Sequence, residues 1–126
     1  MRPLAVAIAA ITALLPAAAL TPAASSAPTR HAVPLGHVYF WSGPNQMGAG
    51  GAWDYAPPGY KEAEQRVKRQ ARSFDSHVTK TVYAISYQNA GRCLYRAIYP
   101  DDYSNNWEWA GKFDGVSDTT MGCDQG

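Results

Sequence analysis

Short β-branched and aromatic runs, separated by clusters of Gly, Pro, Asn and Asp, dominate the chain from residue 37 onward. His37-Val38-Tyr39-Phe40-Trp41 reads as a strand running into the turn Ser42-Gly43-Pro44-Asn45. Gly48-Ala49-Gly50-Gly51 marks a second turn, and Ala52-Trp53-Asp54-Tyr55 a short strand stopped by Ala56-Pro57-Pro58-Gly59. Thr79 to Tyr87 has the composition of a central strand, and Gln88-Asn89-Ala90-Gly91 returns it to a partner at Cys93 to Tyr99. Ser104 to Trp109 forms another turn and strand, on which Trp107 and Trp109, two apart, share a face. Phe113-Asp114-Gly115-Val116-Ser117 reads as a further turn.

One segment departs from this rhythm. From Tyr60 to Arg72 the apolar residues Ala63, Val67 and Ala71 recur four apart, behind Pro58-Gly59. That spacing predicts a helix with a narrow apolar stripe. Glu62 with Arg66, and Glu64 with Lys68, then fall at i,i+4 in the favourable order. The helix is expected on the surface, covering one edge of a sheet. Many short strands with one helix indicate a mostly β, Greek-key sandwich.

The first twenty residues carry Arg2 as their only charge and are otherwise rich in Ala, Val, Ile and Leu. This is a signal-peptide pattern. A membrane anchor fits less well, because Pro16 interrupts the stretch and small, polar residues follow it where basic flanks would be needed. Small residues permit cleavage after Ala19, Ala24 or Ala27, with the last two favoured. Residues 1–27 are accordingly read as leader, 28–36 as a Pro-, Ala- and Thr-containing flexible arm, and 37–126 as one domain.

Charge adds an exclusion. Without Arg2, 10 basic residues balance 10 acidic ones, which lacks the basic bias of a nucleic-acid binder. A local excess of bases from Lys61 to Arg72, and of acids from Asp101 onward, reads as two solvated faces. The two cysteines, Cys93 and Cys123, form an isolated even pair, read in an exported chain as a disulfide. Closing that loop contributes roughly 3 kcal/mol. Such spacing without paired histidines makes a poor zinc site.

Two stretches share a layout: Trp41-Ser42-Gly43-Pro44-Asn45-Gln46-Met47-Gly48 and Tyr99-Pro100-Asp101-Asp102-Tyr103-Ser104-Asn105-Asn106. Each opens on an aromatic, passes Pro and Asn or Asp, and reaches Gly48 or Asn106 seven positions on. The expected form is a folded hairpin whose ring packs over a residue with positive φ. Ser73, beside Phe74, and Ser117 follow near turns, where a hydroxyl can bond back to the hairpin backbone.

This arrangement resembles the βγ-crystallin Greek-key motif. With Ala71-Arg72-Ser73-Phe74, the leader and the Val82-Tyr83-Ala84-Ile85 strand, the chain is similar to the secreted bacterial metalloproteinase inhibitors of peptidase inhibitor family 36. The resemblance covers about Val38 to Ser117. It implies a substrate-like inhibitory segment at Arg92, Cys93, Leu94, Tyr95 and Arg96, with Leu94 filling the hydrophobic pocket of a thermolysin-type enzyme. Prepaid ordering would raise the affinity of such a segment. The chain departs from the family in having no second cysteine a few residues after Cys93, so Cys93 is left to pair with Cys123.

Calcium is a second property implied by the resemblance. Asp114, Ser117 and Asp118 are the only ligand candidates, and the matching Gln70-Ala71-Arg72-Ser73 stretch offers no carboxylate. No cofactor is therefore expected. Tyr99, Tyr103, Trp107 and Trp109 with Asp101 and Asp102 are candidates for an aromatic binding surface, although burial of the two tryptophans is the safer expectation. His31, His37 and His77 are isolated, and neither a His-Glu-x-x-His nor a Gly-x-Ser-x-Gly pattern is present. The sequence thus points to a secreted, monomeric, non-enzymatic domain that binds an extracellular protein such as a protease. The alternatives are a structural or carbohydrate-binding envelope module and a small secreted toxin.

Overall fold

The computed structural model describes residues 32–126. The leader reading and the first part of the arm lie outside them. Ala32 to Gly36 is held against the domain: Val33 is buried, and the Gly36 N–H donates to the His77 carbonyl at 2.7 Å.

Nine strands follow: β1 (Val38–Trp41), β2 (Trp53–Tyr55), β3 (Lys61–Glu62), β4 (Ser73–Ser76), β5 (Val82–Tyr87), β6 (Cys93–Ile98), β7 (Tyr103–Ser104), β8 (Gly115–Ser117) and β9 (Asp124–Gln125). They build one sheet in the order β2-β1-β4-β7 and a second in the order β3-β8-β5-β6-β9. All pairings are antiparallel except β6 with β9. The chain therefore divides into two four-strand units, β1–β4 and β5–β8. Each forms a hairpin from its first two strands, lays its fourth beside its first, and lends its third strand to the other sheet.

Alternation along the strands builds the core. Val38 and Phe40 point inward from β1, Val82 and Ala84 from β5, and Ile98 from β6. Between the sheets lies an aromatic cluster centred on Phe40. Its ring stacks on Phe113 at a centroid distance of 4.5 Å and meets Trp53, Phe74 and Trp107 within 6 Å. Trp109 joins through Trp107. The indole nitrogens of Trp53 and Trp109 are buried without hydrogen-bond acceptors, a cost of about 1–3 kcal/mol each that burial of these large rings offsets.

The expected helix over Tyr60–Arg72 is not formed. Ala63, Val67 and Ala71 are all buried, as the spacing required, but they descend into the core from a strand end and a chain of turns. Lys61 and Glu62 pair with β8. A single helical turn follows, in which the Lys68 N–H donates to the Glu64 carbonyl at 2.8 Å, and Arg69, at φ 60°, ends it. The Arg69 N–H then bonds the Phe113 carbonyl at 2.6 Å. Nor do the i,i+4 ion pairs form: Glu62 meets Lys68, and Glu64 meets Arg66. The guanidinium of Arg66 instead clamps the glycine-rich loop before β2, donating to the carbonyls of Gly50 and Ala52 at 2.8 and 2.9 Å.

Two smaller readings also change. Phe113–Ser117 contains strand β8 and not only a turn, while Trp107 and Trp109 lie in turns rather than on a strand.

Deleting the central ring removes the contact common to both sheets. Phe40→Ala is expected to lower the free energy of unfolding by about 3–5 kcal/mol, measured by urea denaturation monitored through tryptophan fluorescence. Alkaline stability is set partly by Tyr55, whose hydroxyl donates to the Gly59 carbonyl at 2.6 Å. Burial, and then the Asp118 charge, push its phenol up to about 12. The folded state therefore holds that proton more tightly than the unfolded one. The resulting stabilisation is complete below the ordinary phenol value of 10.0 and is lost as pH rises from there to about 12. Tyr60 is pushed up in the same direction, by burial and then by hydrogen bonds with Tyr87 and Glu62. The thermal midpoint should fall between pH 10 and 12, and Tyr55→Phe should flatten part of that fall.

Candidate functional site

The segment Arg92–Arg96 begins at the hairpin between β5 and β6 and continues as β6. This hairpin is tight: the Gln88 N–H donates to the Arg92 carbonyl at 2.8 Å, and Ala90 takes φ 63°. Only Arg92 remains in the turn. Cys93 to Arg96 pairs with β5 in the register Tyr87↔Cys93, Ser86↔Leu94, Ile85↔Tyr95 and Ala84↔Arg96. On the opposite edge β9 pairs with Leu94 and Tyr95. The side chain of Leu94 packs on the core. Main-chain groups that a substrate-like segment would offer to a protease are thus engaged inside the sheet, and its anchoring leucine is turned inward. The expected disulfide is present, joining Cys93 to Cys123.

The aromatic surface divides. Trp107 and Trp109 are 7% and 1% exposed and belong to the core, whereas Tyr99 and Tyr103 are 58% and 50% exposed. The tyrosines bracket the turn between β6 and β7, which carries Asp101 at φ 59°. The Asp102 N–H closes this turn on the Tyr99 carbonyl at 3.2 Å, and the Asp102 carboxylate accepts from the Tyr99 N–H at 3.4 Å. Two phenol rings thus flank two aspartates on one projecting turn.

The motif residues keep their roles in the first unit only. Ser73 is fully buried and locks the folded β1–β2 hairpin: its hydroxyl donates to the Gly43 carbonyl at 2.7 Å and accepts from the Gln46 N–H at 2.9 Å. Phe74 and Trp41 are buried beside it. Gly48 lies at φ 143°, where a Cβ would fall 2.5 Å from the Ser42 hydroxyl and 2.7 Å from the Gly43 nitrogen. Close backbone approach therefore demands glycine there. The second folded hairpin does not lie at Tyr99–Asn106 as the sequence layout predicts. The strand equivalent to β1 is β5, so the matching hairpin is Tyr87–Arg92, while Tyr99–Asn106 connects β6 to β7. Asn106 has no positive φ, and Ser117 bonds locally to Thr119 instead of to a hairpin.

Asp114 ties the second hairpin. It is 2% exposed, and its Oδ2 accepts from the Tyr87 N–H at 2.7 Å. Arg69 pairs with it through two bonds, Nε to Oδ1 at 2.7 Å and Nη2 to Oδ2 at 2.6 Å, and also donates to the Tyr87 carbonyl. Hydrogen bonding to Asp114 holds the Arg69 guanidinium above its ordinary range. A fixed organic cation thereby occupies the oxygens of Asp114 that a calcium ion would use, and the Ser117 hydroxyl is engaged locally by the Thr119 N–H. Among the described residues no group of three or more His, Cys, Asp or Glu side chains is placed to hold a metal, and no helix is long and apolar enough to cross a membrane. Reading the sequence alone missed Arg69, because a helix over Tyr60–Arg72 would have left it in solvent.

Comparison with family models, with characterised proteins and with solved structures finds no match to this chain.

Removing Arg69 leaves the Asp114 charge buried without its counter-ion. Arg69→Ala is expected to destabilise the domain by about 3 kcal/mol, and Asp114→Asn in the Arg69→Ala background should recover part of this loss in chemical denaturation.

Proposed function

We propose that the chain is a secreted βγ-crystallin-like module that acts by binding and has no catalytic role, engaging cell-envelope carbohydrate through the Tyr99–Tyr103 turn. The pairing of Leu94 and Tyr95 with strands on both sides carries the preference for this reading over a substrate-like inhibitor, since those residues cannot enter a protease cleft extended without leaving their partners. The exchange of β3 and β7 between the sheets supports the paired Greek-key assignment. The apolar leader and the closed disulfide support export.

The chemistry of the turn suits a sugar. Carboxylates of Asp101 and Asp102 can accept bonds from neighbouring hydroxyls, while the faces of Tyr99 and Tyr103 can lie against the apolar side of a pyranose ring. Such a site works on a rigid scaffold, which the disulfide and the aromatic core provide.

The oxidised domain should co-sediment with isolated bacterial cell walls, and Tyr99→Ala should weaken that binding about fivefold or more. It should leave thermolysin uninhibited at micromolar concentration in a peptide-hydrolysis assay. Inhibition that disappears in Leu94→Gly would return the segment Arg92–Arg96 to its inhibitory role, and failure of the native protein to bind cell walls would remove the carbohydrate reading.

A further inference from the structure

The outer edge of β6 is covered by a short strap. β9 has only two residues, both exposed, and pairs parallel to β6 through Leu94↔Asp124 and Tyr95↔Gln125. Beyond it Gly126 is fitted closely. Its N–H donates to the Tyr95 carbonyl at 2.9 Å, and its carbonyl accepts from Arg96 Nη2 at 3.4 Å. A Cβ on Gly126 would fall 2.9 Å from Leu94 Cβ and 3.3 Å from Trp109 Cζ2. Arg96 is itself held over the Trp109 ring at 5.5 Å and by Glu108 at 2.8 Å. Together these groups form a receptor for an extended segment: a strand edge, a notch that admits only glycine, and an arginine that reads the following carbonyl.

The Cys93–Cys123 bond and these contacts hold the strap in place. The preceding residues bond locally: the Thr119 N–H donates to the Ser117 hydroxyl, the Met121 N–H to the Thr119 hydroxyl and the Cys123 N–H to the Thr120 carbonyl. Fully extended, the six residues between β8 and β9 span about 20 Å, enough to reach a neighbouring molecule.

We propose that the edge of β6 is an interaction site for a second copy of this chain, whose Cys123–Gly126 segment replaces the molecule's own strap once a small-molecule thiol, itself oxidised to its disulfide, reduces Cys93–Cys123 to two thiols. The occupant is specified by the site itself, because the segment must be extended and must place glycine against Leu94 and Trp109, and the Cys123–Gly126 segment of an identical chain meets both requirements. Reciprocal exchange gives a closed, two-fold dimer with every contact of the monomer retained. An intact disulfide keeps the tail's own end next to its edge and favours the monomer. Once it is reduced, a short tether gives an effective concentration in the millimolar range, so exchange competes when the protein reaches that level.

Equal amounts of ordinary and 15N-labelled protein, reduced together and reoxidised with glutathione disulfide, test this. Each new protein disulfide gives up two protons and two electrons, and one glutathione disulfide leaves as two glutathione thiols. At about 1 mM protein roughly half the chains should become covalent dimers, against a few per cent at about 10 µM. Peptide mass spectrometry should find Cys93 of one isotope joined to Cys123 of the other. Separately, C93S/C123S should show a dimer by light scattering at about 1 mM, and adding Gly126→Leu should abolish it. Monomer alone in both experiments, links between like cysteines, or a dimer indifferent to Gly126→Leu would each overturn the proposal.

Discussion

The stack of Phe40 on Phe113 is the contact through which the rest of the domain is organised. Phe40 comes from the first strand of the first unit, and Phe113 precedes the last strand of the second. Around this pair Trp53 and Phe74 close from the first sheet, and Trp107 from the turns after β7. In a domain this small, where little area can be removed from water, concentrating large rings at one point gives a core that aliphatic side chains spread over the same short strands could not match. Several strands have only two or three residues, and among them β2 delivers Trp53 to that cluster and β8 follows directly on Phe113 and Asp114.

Polar groups at the ends of the sandwich are resolved one unit at a time. In the first, the Ser73 hydroxyl closes the β1–β2 hairpin. In the second, the Asp114 carboxylate closes the β5–β6 hairpin, and Arg69 arrives from the first unit to neutralise it. This charged contact joins the units at the edge of the core, and it takes up the buried Asp114 carboxylate. The turn at Tyr99–Tyr103 lies apart from these bonds, and its two tyrosines are about half exposed.

Strands with a strong alternating pattern were legible in the sequence. Val38–Trp41, Val82–Tyr87 and Cys93–Ile98 lie within the stretches that the pattern marks, and the disulfide follows from cysteine count alone. The false helix has a specific origin: Ala63, Val67 and Ala71 are buried at a spacing of four, but a strand end followed by turns meets that requirement as well as a helix does. Trp107 and Trp109 misled for the converse reason. Consecutive turns can direct both side chains into the core without a strand beneath them. The repeat was found in the first hairpin, where Gly48 and Ser73 carry its geometry, and misplaced in the second, where Asp114 replaces the serine and leaves no matching residue to read. Local sequence does not encode which strands pair across a sheet, so the placement of Leu94 and Tyr95 between β5 and β9 could not be inferred from the segment itself.

The lending of β3 and β7 to opposite sheets has a consequence for how the chain reaches this state. Neither half can complete its own sheet, because each waits for a strand synthesised with the other. The two units are consequently not independent folding modules, despite their repeated layout. Pairing of β4 with β7 and of β3 with β8 links distant positions, so loop entropy must be surrendered before these contacts repay it, and folding is expected to be slow and all-or-none. A nascent chain released at the end of β4 would hold an unpaired edge and a bare aromatic face, and would depend on the remaining residues to hide both.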